Sequence, residues 1–347
     1  MSVVNSSRRR AIRRVAGLAG ATALWRFAPA AALDSPIRAQ TPEARAGGPG
    51  AQLVLLGTQG GPNFTDARGE TASAVVIDGT TYLCDCGYGT LGALKRAGLN
   101  HRAIAQVFLT HLHDDHTADL PALLIRQRTD GRVDPTTVFG PHGTSRMVEA
   151  VIAFGEANAT IRLVDEARTV QPATLLRGRN LEATTAPAEA YRDDRVTVRS
   201  IENTHFPDES KAKMPYRALS YRFDARNRSI VISGDTGYSK GLVELARGAD
   251  VLVCEAIDVP AMRKAFDGMV AKGMYADNPE GIWRHIIETH TPVEDTGRMA
   301  AEARVGTLVL NHLVPGALGN LPDQTYIDSA RKTFTGRIVV GRDQMVL

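Results

Sequence analysis

His111-Leu112-His113-Asp114-Asp115-His116 is the stretch that decides how the rest of this chain is read. It holds three of the nine histidines and follows directly on an apolar run, Val107-Phe108-Leu109-Thr110. Neutral imidazoles and carboxylates are ligands of zinc-like ions. In an extended segment, residues two apart point the same way, so His111 and His113 can grip one ion. A turn straight afterwards faces Asp115 and His116 toward a second position. The motif alone predicts metal binding at the end of a strand.

Four further segments follow the same logic, each a β-rich run ending in a polar donor. They are Leu83-Cys84-Asp85-Cys86-Gly87, Asn203-Thr204-His205, Ser233-Gly234-Asp235-Thr236 and Leu310-Asn311-His312. With these in order, the pattern H-x-H-x-D-H resembles the signature of the metallo-β-lactamase superfamily of hydrolases, from about Leu53 to the C-terminus. The resemblance implies an α/β fold, a four-layer αβ/βα sandwich with the metals at one edge. It implies one metal on His111, His113 and His205, another on Asp115, His116 and His312, and Asp235 bridging them. Asp85 is then read as orienting a ligand rather than binding metal. The implied cofactors are two divalent ions, Zn2+ foremost, although histidine and carboxylate donors also accept manganese, iron or cobalt. A close pair of ions lowers the pKa of a shared water and offsets charge on substrate oxygens.

Within the superfamily, four segments resemble ribonuclease Z and its relatives: the glycine-rich Leu55-Leu56-Gly57-Thr58-Gln59-Gly60-Gly61-Pro62, then Val253-Cys254-Glu255-Ala256, Glu288-Thr289-His290-Thr291-Pro292 and Val309-Leu310-Asn311-His312-Leu313-Val314-Pro315. In that family Glu255 would hold His290, and His290 would help protonate the leaving group; Asp115, His290 and Glu255 are the expected catalytic residues. A carboxylate-held histidine suits general acid work near neutral pH. The competing reading makes His290 the cap of a helix beginning near Pro292.

One departure shapes the expected substrate. Ribonuclease Z proper carries a long Gly/Pro-rich arm between its third and fourth motifs to grip transfer RNA. Here 29 residues separate His205 from Asp235, the first glycine among them is Gly234, and 218–223 and 230–233 read as strands. The charge points the same way. The first 32 residues hold six arginines and no acid, so the remainder has 35 Lys+Arg against 38 Asp+Glu, a net −3 without a basic footprint for nucleic acid. The expectation is an exported hydrolase of a small ester-type or aromatic substrate, like arylsulfatase-like enzymes or the hydrolytic dehalogenase of chlorinated aromatic nitriles. No nucleic-acid partner and no stable membrane anchor are expected, and a homodimer is left open. The alternatives are a ribonuclease Z-type phosphodiesterase, an aryl-halide dehalogenase or, further off, a non-catalytic metal-binding protein.

The chain's 347 residues, 43% hydrophobic, are ample for one large core. Paired arginines, Arg9 and Arg10, precede a mild apolar run and small residues near Ala30 and Ala32, so 1–32 resembles a twin-arginine signal peptide and implies the periplasm. Residues 33–50 read as a flexible lead-in and 51–347 as the hydrolase domain. Cys84, Cys86 and Cys254 are expected to be small buried hydrophobes rather than a disulfide framework. Strands are predicted at 52–56, 74–77, 81–84, 107–110, 196–201, 218–223, 230–233, 251–254 and 308–310. Helices are predicted at 91–97, 119–127, 145–157, 241–246, 295–303 and 325–333. His101 and His285 are expected to be surface or packing residues, and His142 a loop residue. Residues 258–288, rich in Met and aromatic side chains, read equally as an apolar cap over the metals or as a helical hairpin packed on the sandwich.

Overall fold

The computed structural model describes residues 50–61, 65–319 and 321–347. The signal-peptide reading, all of the lead-in except Gly50, and Pro62 lie outside the described residues. No helix among the described residues is long and apolar enough to cross a membrane.

Two mixed sheets face each other. The first runs β1 (Ala51–Gly57), β2 (Ala72–Ile77), β3 (Thr80–Cys84), β4 (Gln106–Phe108), β5 (Thr136–Gly140) and β6 (Leu176–Asn180), in sequence order across the sheet. Its first two pairings are antiparallel and the remainder parallel. The second holds β7 (Ala188–Arg192), β8 (Val196–Glu202), β9 (Leu219–Ala225), β10 (Ser229–Ile232), β11 (Val251–Ile257), β12 (Thr307–Val314) and β13 (Arg337–Val340), again in sequence order.

Strand alternation explains the layering, because successive side chains leave a strand on opposite faces. Leu53 and Leu55 of β1 join Val251 and Val253 of β11 and Val309 of β12 in the core between the sheets. Their neighbours Val54 and Leu56 pack outward against Leu94, Leu120, Leu123 and Val148, from helices Thr90–Arg96, Leu120–Thr129 and Thr144–Phe154. On the far side, Leu252, Cys254, Leu308 and Leu310 pack against Leu242, Met299 and Tyr326, from helices Lys240–Leu245, Val293–Ala303 and Asp323–Arg331. The result is the four-layer αβ/βα sandwich. All three cysteines are free and buried.

The end of β4 is held from both sheets. Phe108 stacks on Phe139 at 5.2 Å and meets Phe223 and Tyr221 edge-on at 5.3 and 5.5 Å. Each such aromatic pair contributes about 0.5–1.5 kcal/mol beyond area burial. The Tyr221 hydroxyl donates to the Leu109 carbonyl at 2.8 Å, and the Leu219 N–H donates to the Thr110 carbonyl at 2.8 Å. The metal motif therefore starts from fixed backbone.

Several elements differ from the sequence-based expectation. Strands β5, β6, β7 and β13 were not predicted, and the single helix expected at 145–157 is two, Thr144–Phe154 and Glu156–Asp165, hinged at Gly155. Residues 258–288 form the helical hairpin Val259–Val270 and Pro279–Thr289, with a small core of Met262 and Phe266 against Ile257 and Val314.

Candidate metal centre

Asp85 organises the first approach to the site. It follows β3 in a left-handed conformation, φ 60°, and accepts from the Thr110 N–H at 2.8 Å and the Thr110 hydroxyl at 2.9 Å. Its Oδ2 also lies 2.9 Å from His116 Nδ1. A carboxylate on one ring nitrogen fixes the proton there and turns the other nitrogen inward. His205 is oriented likewise, with Nδ1 3.2 Å from the Thr289 carbonyl. Asp235 follows β10 and Gly234, whose φ is 60°; a Cβ on Gly234 would sit 2.6 Å from Thr110 Cβ, so no other residue fits. His312 arrives by a bulge. Glu255 of β11 pairs with Asn311 and Ala256 with Leu313, leaving His312 as the extra residue of β12 with φ 40°.

These elements converge on two donor clusters that share Asp235. In one, His113 Nδ1 is 3.0 Å from His111 Nε2 and 3.3 Å from His205 Nε2, and Asp235 Oδ2 is 3.8 Å from His111 Nε2. In the other, Asp235 Oδ1 is 3.1 Å from both His116 Nε2 and His312 Nε2, with Asp115 Oδ2 at 3.7 and 3.4 Å from the same nitrogens. A tetrahedral ion with arms of about 2.0–2.1 Å sets its donor atoms about 3.3 Å apart. The crowded ring nitrogens of the first cluster have that spacing. In the second, His116 Nε2 and Asp235 Oδ1 are buried without a hydrogen-bond partner, a state that costs about 1–3 kcal/mol per group unless something else satisfies it. The donor chemistry and spacing fit divalent cations.

The electrostatics of the clusters are opposite. Burial, and after it the charge of His116, push His111 well below the ordinary histidine range, and burial does the same to His205. At His116 and His312 burial also lowers the pKa, but Asp235 and Asp115 more than offset it. His116 is held well above its ordinary value and His312 is pushed up to about 10.

Beside them stands a buried pair. His290 closes the helix Pro279–Thr289 as its C-cap residue, and its Nδ1 lies 2.8 Å from Glu255 Oε2. The other Glu255 oxygen accepts from the Thr236 N–H. A helix does begin at Val293 after Pro292, but the His290 ring goes to Glu255 instead. Burial would lower the His290 pKa; the Glu255 charge and hydrogen bond, then Asp235, raise it above the ordinary value.

A cavity of about 240 Å³ opens over this group. His113, Asp115, Asp235 and His290 line one side, and Met262, Ile282 and Ile286 of the hairpin line the other. Residues 258–288 are thus a hairpin and a cap at once. His101 is a surface residue, 2.9 Å from Asp130. His142 sits in the loop after β5, 6.2 Å from the Tyr216 ring, and is not among the cavity's lining residues. His285 departs from expectation: it lines the cavity, its ring 5.5 Å from that of His205 and 5.7 Å from that of His290. The signal was present, since Ile282, His285, Ile286 and Thr289 share one helical face.

Residues 80–313 match the family model of the beta-lactamase superfamily domain. Ribonuclease Z of Mycobacterium bovis (strain BCG / Pasteur 1173P2) is 31% identical over 296 residues, 84% of this chain and 96% of that protein. Ribonuclease Z of Mycobacterium avium (strain 104) is 30% identical over the same shares. Among solved structures, the short form of human tRNase Z superposes with a TM-score of 0.58 at 21% identity, covering 85% of this chain and 98% of that one. The chain belongs to the metallo-β-lactamase superfamily, in its ribonuclease Z branch, and is a metal-dependent hydrolase. The expectation of a small-molecule substrate and no nucleic-acid partner is overturned by this match, because the relatives are named ribonucleases along nearly their whole length. That expectation rests on the net charge of the chain beyond residue 32 and on a missing arm. Net charge averages over the surface, whereas Lys213 follows the His205 loop and Lys264 and Lys272 line a groove sharing Leu318 with the cavity. An absent arm removes a grip, not the cleaving groups.

Proposed function

We propose that this member of the ribonuclease Z branch hydrolyses phosphodiester bonds in RNA, with Asp235 joining two divalent-metal positions, Zn2+ foremost. His111, His113 and His205 would hold one ion, and Asp115, His116 and His312 the other. The ions supply Lewis acidity and a water acidic enough to act near neutral pH. The observation that carries the reading is His290, on the wall of the cavity with Asp235 and held from behind by Glu255 at 2.8 Å.

A ribose oxygen is a poor leaving group and needs a proton as its bond to phosphorus breaks. Glu255 occupies His290 Nδ1, so Nε2–H is the proton left to deliver. The raised pKa keeps that proton in place near neutral pH. The kinship with ribonucleases 31% identical over 96% of their length supports RNA as the carrier of the bond. Between His205 and Asp235 the described chain forms the short helix Asp208–Lys211, β9 and β10, so the grip on RNA comes from elsewhere on the rim.

The test compares leaving groups on metal-loaded protein. His290→Ala should lose roughly 10²–10⁴-fold on a phosphodiester with a ribose or alkyl leaving group, and far less on one with p-nitrophenolate, which departs unaided. Glu255→Gln should follow the same trend more weakly. Equal losses on both substrates would remove the proton-donor role, and failure of the wild type to cleave any phosphodiester would remove the reading itself.

A further inference from the structure

We propose that His285 reads a ribose hydroxyl next to the scissile phosphate and so makes the site prefer RNA over DNA; this rests on the phosphodiesterase reading above. His285 belongs to neither metal donor cluster, nor to the Glu255–His290–His312 group. Its ring nevertheless lines the cavity, 6.0 Å from the ring of His113, 5.5 Å from that of His205 and 5.7 Å from that of His290. A sugar flanking a phosphate at the centre would lie within that span.

Hydrogen bonding fixes the ring's tautomer. The Thr289 hydroxyl donates to the His285 carbonyl at 2.8 Å, one helical turn back. Its single hydrogen is thereby used, so toward His285 Nδ1, 3.2 Å away, Thr289 Oγ1 can only accept. Nδ1 therefore carries the proton of the neutral ring, and Nε2 presents a lone pair. No described residue donates to it. The nearest hairpin neighbours on the same wall, Ile282 and Ile286, are apolar.

A substrate filling the cavity strips water from this acceptor. One that brings a hydroxyl repays the loss, and one that lacks it leaves the nitrogen unpaired. The 2′-hydroxyl is the donor that separates ribose from deoxyribose. A single unmet acceptor of this kind corresponds to about 5- to 100-fold in discrimination.

Two measurements on metal-loaded protein test this. The first takes kcat/KM for an RNA strand and for matched strands with one 2′-deoxy substitution on either side of the cut. The second takes the calorimetric Kd for a ribonucleoside 5′-monophosphate against its 2′-deoxy form, which requires no turnover. The wild type should favour the ribo form in both, His285→Leu should bring the two forms toward parity, and His285→Gln, which keeps an acceptor, should restore part of the gap. Metal content should match the wild type in both variants. A preference that survives in His285→Leu, or is missing from the wild type in the binding experiment, overturns the proposal whether or not RNA is cleaved. Loss of metal in His285→Leu would make it a ligand and overturn it equally. Absence of phosphodiester cleavage with ribo-selective, His285-dependent binding intact would instead count against the function proposed above.

Discussion

The half of the centre built by His111, His113 and His205 has one carboxylate oxygen near it, from Asp235, whereas the half built by Asp115, His116 and His312 has both Asp235 and Asp115, with Asp85 behind His116. Both halves are buried at the same sheet edge. In the first, burial decides, and the rings of His111 and His205 are bare of extra protons at neutral pH. In the second, the carboxylate field decides, and the rings attract protons. A metal entering the first half meets free lone pairs; one entering the second must displace protons. Two adjoining halves that share Asp235 are thus unequal sites, set by where the acids stand.

The largest effect expected is from removing what the halves share. Asp235→Ala should cost metal at both and reduce turnover on the order of 10³-fold or more. If metal analysis found one ion bound at wild-type affinity, Asp235 would belong to one half alone. Asp85→Asn touches one half directly, at His116, and the other only through the Thr110 hydroxyl beside His111, so it should weaken the His116 half by about 10–100-fold and the three-histidine half less. Equal weakening at both would erase the distinction. The gentlest probe is acid. His312 in the metal-free protein holds its proton up to about 10, so affinity there should fall as pH drops, by about tenfold per unit for each proton displaced. The three-histidine half should hold its ion until the pH is well below the ordinary histidine range. Stepwise acidification followed by metal analysis should therefore release one equivalent first; simultaneous release would contradict the electrostatic contrast.

The contrast was only partly legible in the sequence. The donors announce themselves because each follows a β-rich run, and strand ends collect side chains at one edge of a sandwich. The bulge at His312 and the left-handed turn at Asp85 leave no such mark, since both depend on register with a neighbouring strand. Strands β6 and β7 lie at sheet edges and between them bury only Leu176, so Leu176-Arg177-Gly178-Arg179-Asn180 lacks the apolar alternation that reveals a strand. His285 was passed over because its importance comes from the hairpin folding back over the centre, and its spacing to His113 and His205 follows no local rule. The expectation of no nucleic-acid partner gives the charge of residues 33–347 and a missing arm more weight than Glu255 and His290, and the kinship with ribonucleases overturns it.

The measurement that bears most directly on the whole account is cleavage of RNA by the purified chain. A structured RNA with a short 3′ extension is incubated with metal-loaded protein, with chelator-treated protein, and with the latter after Zn2+ is returned. The account predicts cleavage with metal, none after chelation and recovery on reloading, with the product ends marking a hydrolysed phosphodiester. Intact RNA in every arm, from protein that carries its metal and turns over an unrelated ester at the same centre, would contradict it.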